Sequence, residues 1–310
     1  MNDHIDVICI GTALIDSIIR GFDPKPVSAS GYTADSGTLY SGGEAVNEAL
    51  AFSKLGTKAG ILCFLGEDAA GFFVEKELKK NGVDTTQIVW EKDHPTPVTT
   101  MFVKKDGTRM SVTNLAHRFN FHPEEQGIGE LGAKAISIGS LFRAPFDDPA
   151  VIHAVLSAAK AAGMKIFADT KIPNFHPLKL EDIKDSLPLI DYITPNEDEA
   201  KYYTGKETAG EQADVFLSYG VANVIIKLGG KGCFFKNAEE EIRLPAHEIE
   251  AVDATGAGDN FSAGFITEIL QGKTHEEALR FANACGAICT TAIGAGTALQ
   301  DRKQVEEFLK

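Results

Sequence analysis

Short apolar runs rich in β-branched and aromatic residues punctuate this chain, and between them apolar positions recur three and four residues apart. The runs at 5–10, 60–65, 135–138, 165–168, 191–194, 223–228 and 232–236 predict strands, each bounded by turn formers and too short for a buried helix. The stretches between them predict amphipathic helices with readable ends. Asp148 caps a helix that opens on Pro149 and runs through Ala158 to Gly163, while Thr274 and Glu277 form a capping box for a helix over 276–291. Strands alternating with helices predict an α/β fold with a largely parallel sheet covered by helices.

Two segments break this alternation. Polar and apolar residues alternate over 98–112 around Lys105-Asp106-Gly107-Thr108, and Asp-Gly between such runs is a hairpin signal. The stretch 18–40, with Pro24, Pro26, Gly31 and Gly37, is irregular and can pair with that hairpin as a small separate sheet. Set between α/β units, the segments at about 17–40 and 96–114 predict a lid over the main site, inserted in a single domain spanning 1–310.

Composition narrows the class. With 310 residues, 44% of them hydrophobic, the chain can bury the core of one large α/β domain. A net charge of −14 argues against nucleic acid or an anionic membrane as partner, since both call for a basic surface. Cys9, Cys63, Cys233, Cys285 and Cys289 are odd in number and sit among apolar residues, which predicts buried reduced thiols. No basic leader opens the sequence and no apolar stretch reaches membrane length, so a cytoplasmic location is expected.

The candidate chemistry lies in two glycine turns. Asp253-Ala254-Thr255-Gly256-Ala257-Gly258-Asp259 leads into a helical pattern carried by Phe261, Phe265, Ile266, Ile269 and Leu270. Glycines admit close approach of a ligand, and the N–H groups and dipole of a helix start hold a phosphate. Asp259 falls in the first turn, where it can take a proton from a substrate hydroxyl and where the dipole is expected to keep it ionised. The combination points to phosphoryl transfer. The second turn, Gly42-Gly43, enters a helix that buries Ala45, Val46, Ala49, Leu50 and Phe52 and ends at Gly56. Asn47 in its first turn and Asp16 upstream can grip the hydroxyls of a small polyol, and helix capping is the plain alternative for each. Gly127 to Gly132 matches a dinucleotide fingerprint by letter but precedes a strand, and Gly272-Lys273-Thr274 follows a helix, so neither is a phosphate loop.

The order of Gly42-Gly43 with Asn47, Gly66-Glu67-Asp68 with Gly71, Asn81-Gly82-Val83-Asp84, Asn196 with Glu199, and Asp253 through Asp259 resembles that of the ribokinase-like carbohydrate kinases, the PfkB family. The resemblance covers nearly the whole chain. It implies a doubly wound, mostly parallel sheet with helices on both faces, a small β-sheet lid, and transfer of the γ-phosphate of ATP to a hydroxyl of a small sugar. Carried over residue by residue, it implies Asp259 as base and the Gly256, Ala257 and Gly258 N–H groups as anion hole, with Asp16, Gly42, Gly43 and Asn47 on the sugar. It further implies Asn196, Lys227, Gly229, Gly232 and Asn283 on ATP, Glu199 positioning Mg2+ through water, and Asp253 with Thr255 beside a monovalent cation such as K+. A homodimer through the lid is also implied.

Substrate identity is open at this level. Several relatives carry Asp-x-Asn-x-Arg where this chain has Asp169-Thr170-Lys171-Ile172-Pro173, which departs from the fructokinase and keto-deoxy-gluconate kinase pattern. Lys171, Arg109 and Arg143 are candidates to read an acidic sugar, with solvated surface cations as the plain alternative. Glu44 and Glu48 are unusual beside a sugar loop. A nucleoside kinase, with Phe102, Phe119 and Phe142 under the lid, and a non-catalytic sugar-binding regulator are the competing readings.

Overall fold

The computed structural model describes residues 5–21, 33–105, 108–114 and 121–310. Its centre is an eight-stranded sheet built on β1 (Val7–Ile10), β4 (Ala59–Leu62), β9 (Ala135–Leu141), β10 (Lys165–Thr170), β11 (Tyr192–Ile193), β12 (Asn223–Lys227), β13 (Cys233–Lys236) and β14 (Glu241–Leu244). The order across the sheet is β14-β13-β12-β11-β10-β9-β1-β4. All neighbours run parallel except β12, β13 and β14, which pair antiparallel at one edge.

Both faces of this sheet are buried, which is why its central strands read as unbroken apolar runs. Along β1, Val7 and Cys9 enter one core while Ile8 and Ile10 enter the other, the alternation that a period of two imposes. The first core is closed by α1 (Glu44–Lys54), α6 (Ala257–Leu270) and α7 (His275–Cys289), and the second by α3 (Pro149–Ala161), α4 (Glu197–Thr204) and α5 (Ala209–Ser218). The caps read from sequence are present. Asp148 accepts from the Ala150 N–H, and Thr274 and Glu277 close the capping box of α7. All five cysteines are free and buried.

Four strands make the small second sheet, in the order β3 (Ser36–Gly42), β2 (Leu14–Arg20), β7 (Val98–Val103), β8 (Arg109–Thr113). The hairpin expected over 98–112 is the antiparallel pair β7 and β8; its turn residues Asp106 and Gly107 lie outside the described residues. So do Pro24, Pro26, Gly31 and Phe119. The sheet is wider than 17–40 and 96–114 suggest, since β2 starts at Leu14 and β3 ends at Gly42. Asp16 therefore sits inside a strand, where β2 pairs β7 in parallel and β3 antiparallel.

One strand assignment needs correction, and two short strands are unexpected. The run 60–65 is not one strand: it breaks at Cys63 into β4 and β5 (Phe64–Gly66), which leaves the main sheet to pair with β6 (Val89–Glu91). Neither β6 nor β14 stands out in the sequence, since Val89-Trp90-Glu91 is only three residues and Glu241-Ile242-Arg243-Leu244, although it alternates, is four residues long and half charged. Pairing with an already formed neighbour makes them strands.

Candidate active site

A cavity of about 900 Å³ opens over the carboxyl ends of the parallel strands, where open α/β sheets bind ligands. Lys171 follows β10, Lys227 ends β12, and Asn196 bridges to Lys227 at the start of α4. From the other side come the first turns of α1 and α6, and from the small sheet Leu14 and Asp16 of β2.

The glycines have steric reasons. Gly43 caps α1 at φ +94°, and a Cβ there would lie 2.3 Å from the Thr12 carbonyl oxygen; one on Gly42 would lie 2.2 Å from an Asp16 carboxylate oxygen. Gly256 caps α6 at φ +77° without any side-chain cap. Ala257 turns its N–H back to the Ala254 carbonyl at 3.2 Å, closing the turn internally, so the cradle differs from the three-donor set expected. Among the described residues the Gly256 and Gly258 N–H groups carry no backbone or side-chain acceptor. Lys227 Nζ would lie 3.2 Å from a Cβ on Gly258, which puts an ammonium group beside that cradle.

The two turns meet through one bond. Asn47 Nδ2 donates to Asp259 Oδ2 at 2.7 Å, joining residues that stand 212 apart in sequence. Both are buried, and both line the cavity. Burial pushes the Asp259 carboxyl above the ordinary carboxylate range, Glu44 and Asp169 add to the rise, and Lys171 and the Asn47 amide oppose it. The helix dipole thus does not hold Asp259 at a low pKa; desolvation dominates. Asp16 is raised to about 6, by burial first and Glu44 second.

A charged floor lies under the cavity. Lys227 pairs with Asp169 at 2.5 Å, both nearly buried. Lys171 also lines the cavity and is no solvated surface cation: burial alone would lower it, but Asp169, Asp259, Glu44 and Glu199 together hold it well above its usual value. Arg143 instead donates to the Ile172 carbonyl away from the cavity, and the Arg109 side chain lies outside the described residues. The sequence signal for Asp169 and Lys171 was their place directly after an apolar strand, where the sheet edge becomes a site.

Asn196 and Glu199 form a reciprocal capping box, each side chain bonding the other's backbone N–H at 2.9 Å. Glu199 is buried, and its Oε2 also accepts from the Thr170 hydroxyl at 3.2 Å. Burial, then Asp169, raises its carboxyl. Asn196, Gly229, Gly232 and Asn283 line the cavity, whereas Gly42, Glu199 and Asp253 stand behind its wall. Asp253 shapes the turn, accepting from Thr255 N–H and hydroxyl at 3.1 and 2.7 Å and from Gly294 N–H at 3.1 Å. Phe102 and Phe142 do not line the cavity; Phe142 is fully buried and stacks on Tyr203.

Residues 4–302 match the model of the pfkB family carbohydrate kinases. The chain belongs to that family. This makes it a phosphotransferase with an alcohol group as acceptor, on a ribokinase-like fold whose small sheet is the lid-like element. A ribokinase of Haemophilus influenzae is 32% identical over 275 residues, covering 87% of either chain. Among solved structures, Arabidopsis thaliana ribokinase complexed with ribose and ATP superposes with a TM-score of 0.85 at 27% identity, covering 99% of both chains. An Escherichia coli protein assigned as a ribokinase II, in complex with ATP and Mg2+, gives a TM-score of 0.81 at 25% identity, covering 98% of this chain and 99% of that one.

Proposed function

We propose that this pfkB kinase phosphorylates a small sugar from ATP, with Asp259 removing the proton of the acceptor hydroxyl as the γ-phosphate arrives. The observation that carries this reading is the Asn47–Asp259 bond, because it fastens the base to the turn that would hold the acceptor while the anion cradle stands at the same helix start. Asp16, Gly43 and Asn47 form the acceptor half; Asn196, Lys227, Gly229, Gly232 and Asn283 form the nucleotide half.

Phosphoryl transfer passes through a loose transition state, so alignment and charge stabilisation supply most of the acceleration. The Gly256 and Gly258 N–H groups at the start of α6, with the Lys227 ammonium close to Gly258, would stabilise the charge that develops on the transferred phosphate. When bound, Mg2+ would supply positive charge against the ATP phosphates. The buried carboxyls of Glu199 and Asp169 repel one another beside the cavity floor, an arrangement a divalent cation would relieve, and Glu199, behind the wall, would position that ion through water. Asp253 and Thr255 would supply oxygen donors to a monovalent cation behind the cradle.

A coupled assay of ATP turnover over neutral sugars, sugar acids, sugar phosphates and nucleosides tests the reading, with Mg2+ and K+ each withheld in turn. Magnesium-dependent turnover of a sugar is expected. Saturable sugar binding with no phosphorylation anywhere in the panel would replace the kinase by a sugar-binding regulator. Among the described residues neither Phe102 nor Phe142 lines the cavity, so neither of these two supports the nucleoside alternative.

Asp16 gives this acceptor site a pH dependence. Its carboxyl titrates at about 6, so below that pH it takes up a proton and becomes a poorer acceptor for sugar hydroxyls. The KM for sugar is expected to rise as pH falls through about 6, with kcat changing less. Asp16→Asn should raise KM roughly 10- to 100-fold at neutral pH and abolish that dependence, the scale of a lost hydrogen bond to a charged group. Initial rates measured across the pH range decide it; an unchanged KM in the variant would remove Asp16 from the sugar site.

A further inference from the structure

Glu48 has no part in the chemistry above, yet it lies next to Asn47 on α1 and is wholly buried. Its side chain is turned toward β9. Ser137 donates its hydroxyl to Glu48 Oε2 at 2.7 Å, whereas Oε1 has no hydrogen-bond partner among the described residues. A Cβ added at Gly139 would lie 3.4 Å from Oε1, so bare backbone approaches that oxygen. An ionised carboxylate with a single hydrogen bond in such a place is costly, and a protonated one costs much less.

The charges around it sharpen the point. The charges of Asp259 on α6, Asp169 on β10 and Lys227 on β12 all act on it, and Lys227 is already held by Asp169. Cys9 of β1 faces it as a buried thiol with Cys63 beside it, and Glu44 on its own helix adds charge to the same site. An ionised Glu48 would stand as a further negative charge behind a base and a cradle that must receive anionic phosphates.

We propose that Glu48 is a positioning residue that must hold a proton for the enzyme to turn over: as a neutral acid it leaves Asp259 to carry the charge of the site, and losing that proton shuts phosphoryl transfer down. The inference rests on the reading of Asp259 as base. Burial, reinforced by Asp259, places the Glu48 carboxyl at about 8, so the proton leaves for solvent in the mildly alkaline range.

The experiment is a pair of pH–rate profiles. In the native enzyme kcat/KM for ATP should fall above pH 8, by roughly tenfold per pH unit beyond it. In Glu48→Gln, which keeps the shape and the neutral state, the rate at about pH 9 should stay within about twofold of that variant's own rate at about pH 7. A variant whose alkaline limb is unchanged overturns the proposal, as does one uniformly slowed with the same limb, which would mark Glu48 as merely structural.

A second readout does not depend on activity. A carboxyl with a raised folded pKa contributes stability that is lost as pH rises from its unfolded value of 4.5 through about 8. The native Tm should therefore drop between about pH 6 and 9 by roughly 5 °C more than that of the variant. Should Glu48→Gln not fold, infrared difference spectra of native protein labelled with 13C-glutamate must show a buried carboxylic-acid band disappearing along with the kinetic limb. A band that persists overturns the inference. If instead the base assignment is wrong, Asp259→Asn remains active while the Glu48 band still titrates, so the two failures are distinguishable.

Discussion

Asp259→Asn lowers turnover by roughly 10²–10⁴-fold, the range for a lost general base, and leaves the fold intact. The side chain is buried and nearly isosteric with its replacement, and the Asn47 amide that now donates to it can meet the new carbonyl oxygen instead. No stability is forfeited with the charge. Because burial holds the folded pKa of Asp259 above its unfolded value, its ionisation costs stability as pH rises, and a neutral amide escapes that cost. The melting temperature of the variant at neutral pH is accordingly expected to match or exceed that of the native protein. In the native enzyme the acid limb of kcat should lie above the ordinary carboxylate range of about 4, since the base is lost as pH falls through a raised pKa. Steady-state turnover and thermal melts on one preparation check both halves. Near-native turnover in a well-folded Asp259→Asn would sink the assignment of the base.

What could be read from the chain follows from how local each constraint is. Gly43 and Gly256 announce themselves because a positive φ and a neighbour within 3 Å leave room for no other residue, and a helix with an apolar stripe follows each. Caps such as Asp148 and Thr274 are equally local. Other features exist only once the sheet assembles. Asp169 and Lys227 stand 58 residues apart and Glu48 and Ser137 stand 89 apart, and the parallel strand order alone brings them together. A lone Glu or Lys in a sequence has solvent as its default surroundings, so Lys171 reads as a surface cation until β10 delivers it to the cavity. Asp16 is obscured for another reason. The prolines and glycines just after it signal irregular backbone, and β2 forms because β3 and β7 pair with it from both sides.

The cradle itself makes the second large prediction. Gly256→Val should cost roughly 10²–10³-fold in kcat, the scale of a lost oxyanion-hole donor, and also lower the melting temperature. Two effects combine. A side chain at φ +77° adds about 1–2 kcal/mol of backbone strain, and more for a β-branched residue. Its Cβ would also lie 2.2 Å from the Ala295 Cβ and 2.6 Å from the Ala295 Cα, which is backbone and cannot swing aside. Relief requires the turn to move off the segment it packs against, carrying the Gly256 and Gly258 N–H groups out of alignment with the arriving phosphate. Gly163→Val separates the two effects. Gly163 has φ +75° with nothing within 4 Å of its added Cβ, at the end of α3 remote from the cavity. It should lose a few degrees of Tm through strain, about 2–4 °C per kcal/mol, and keep its turnover. If Gly256→Val loses no more activity than Gly163→Val, the turn does not hold the transferred phosphate.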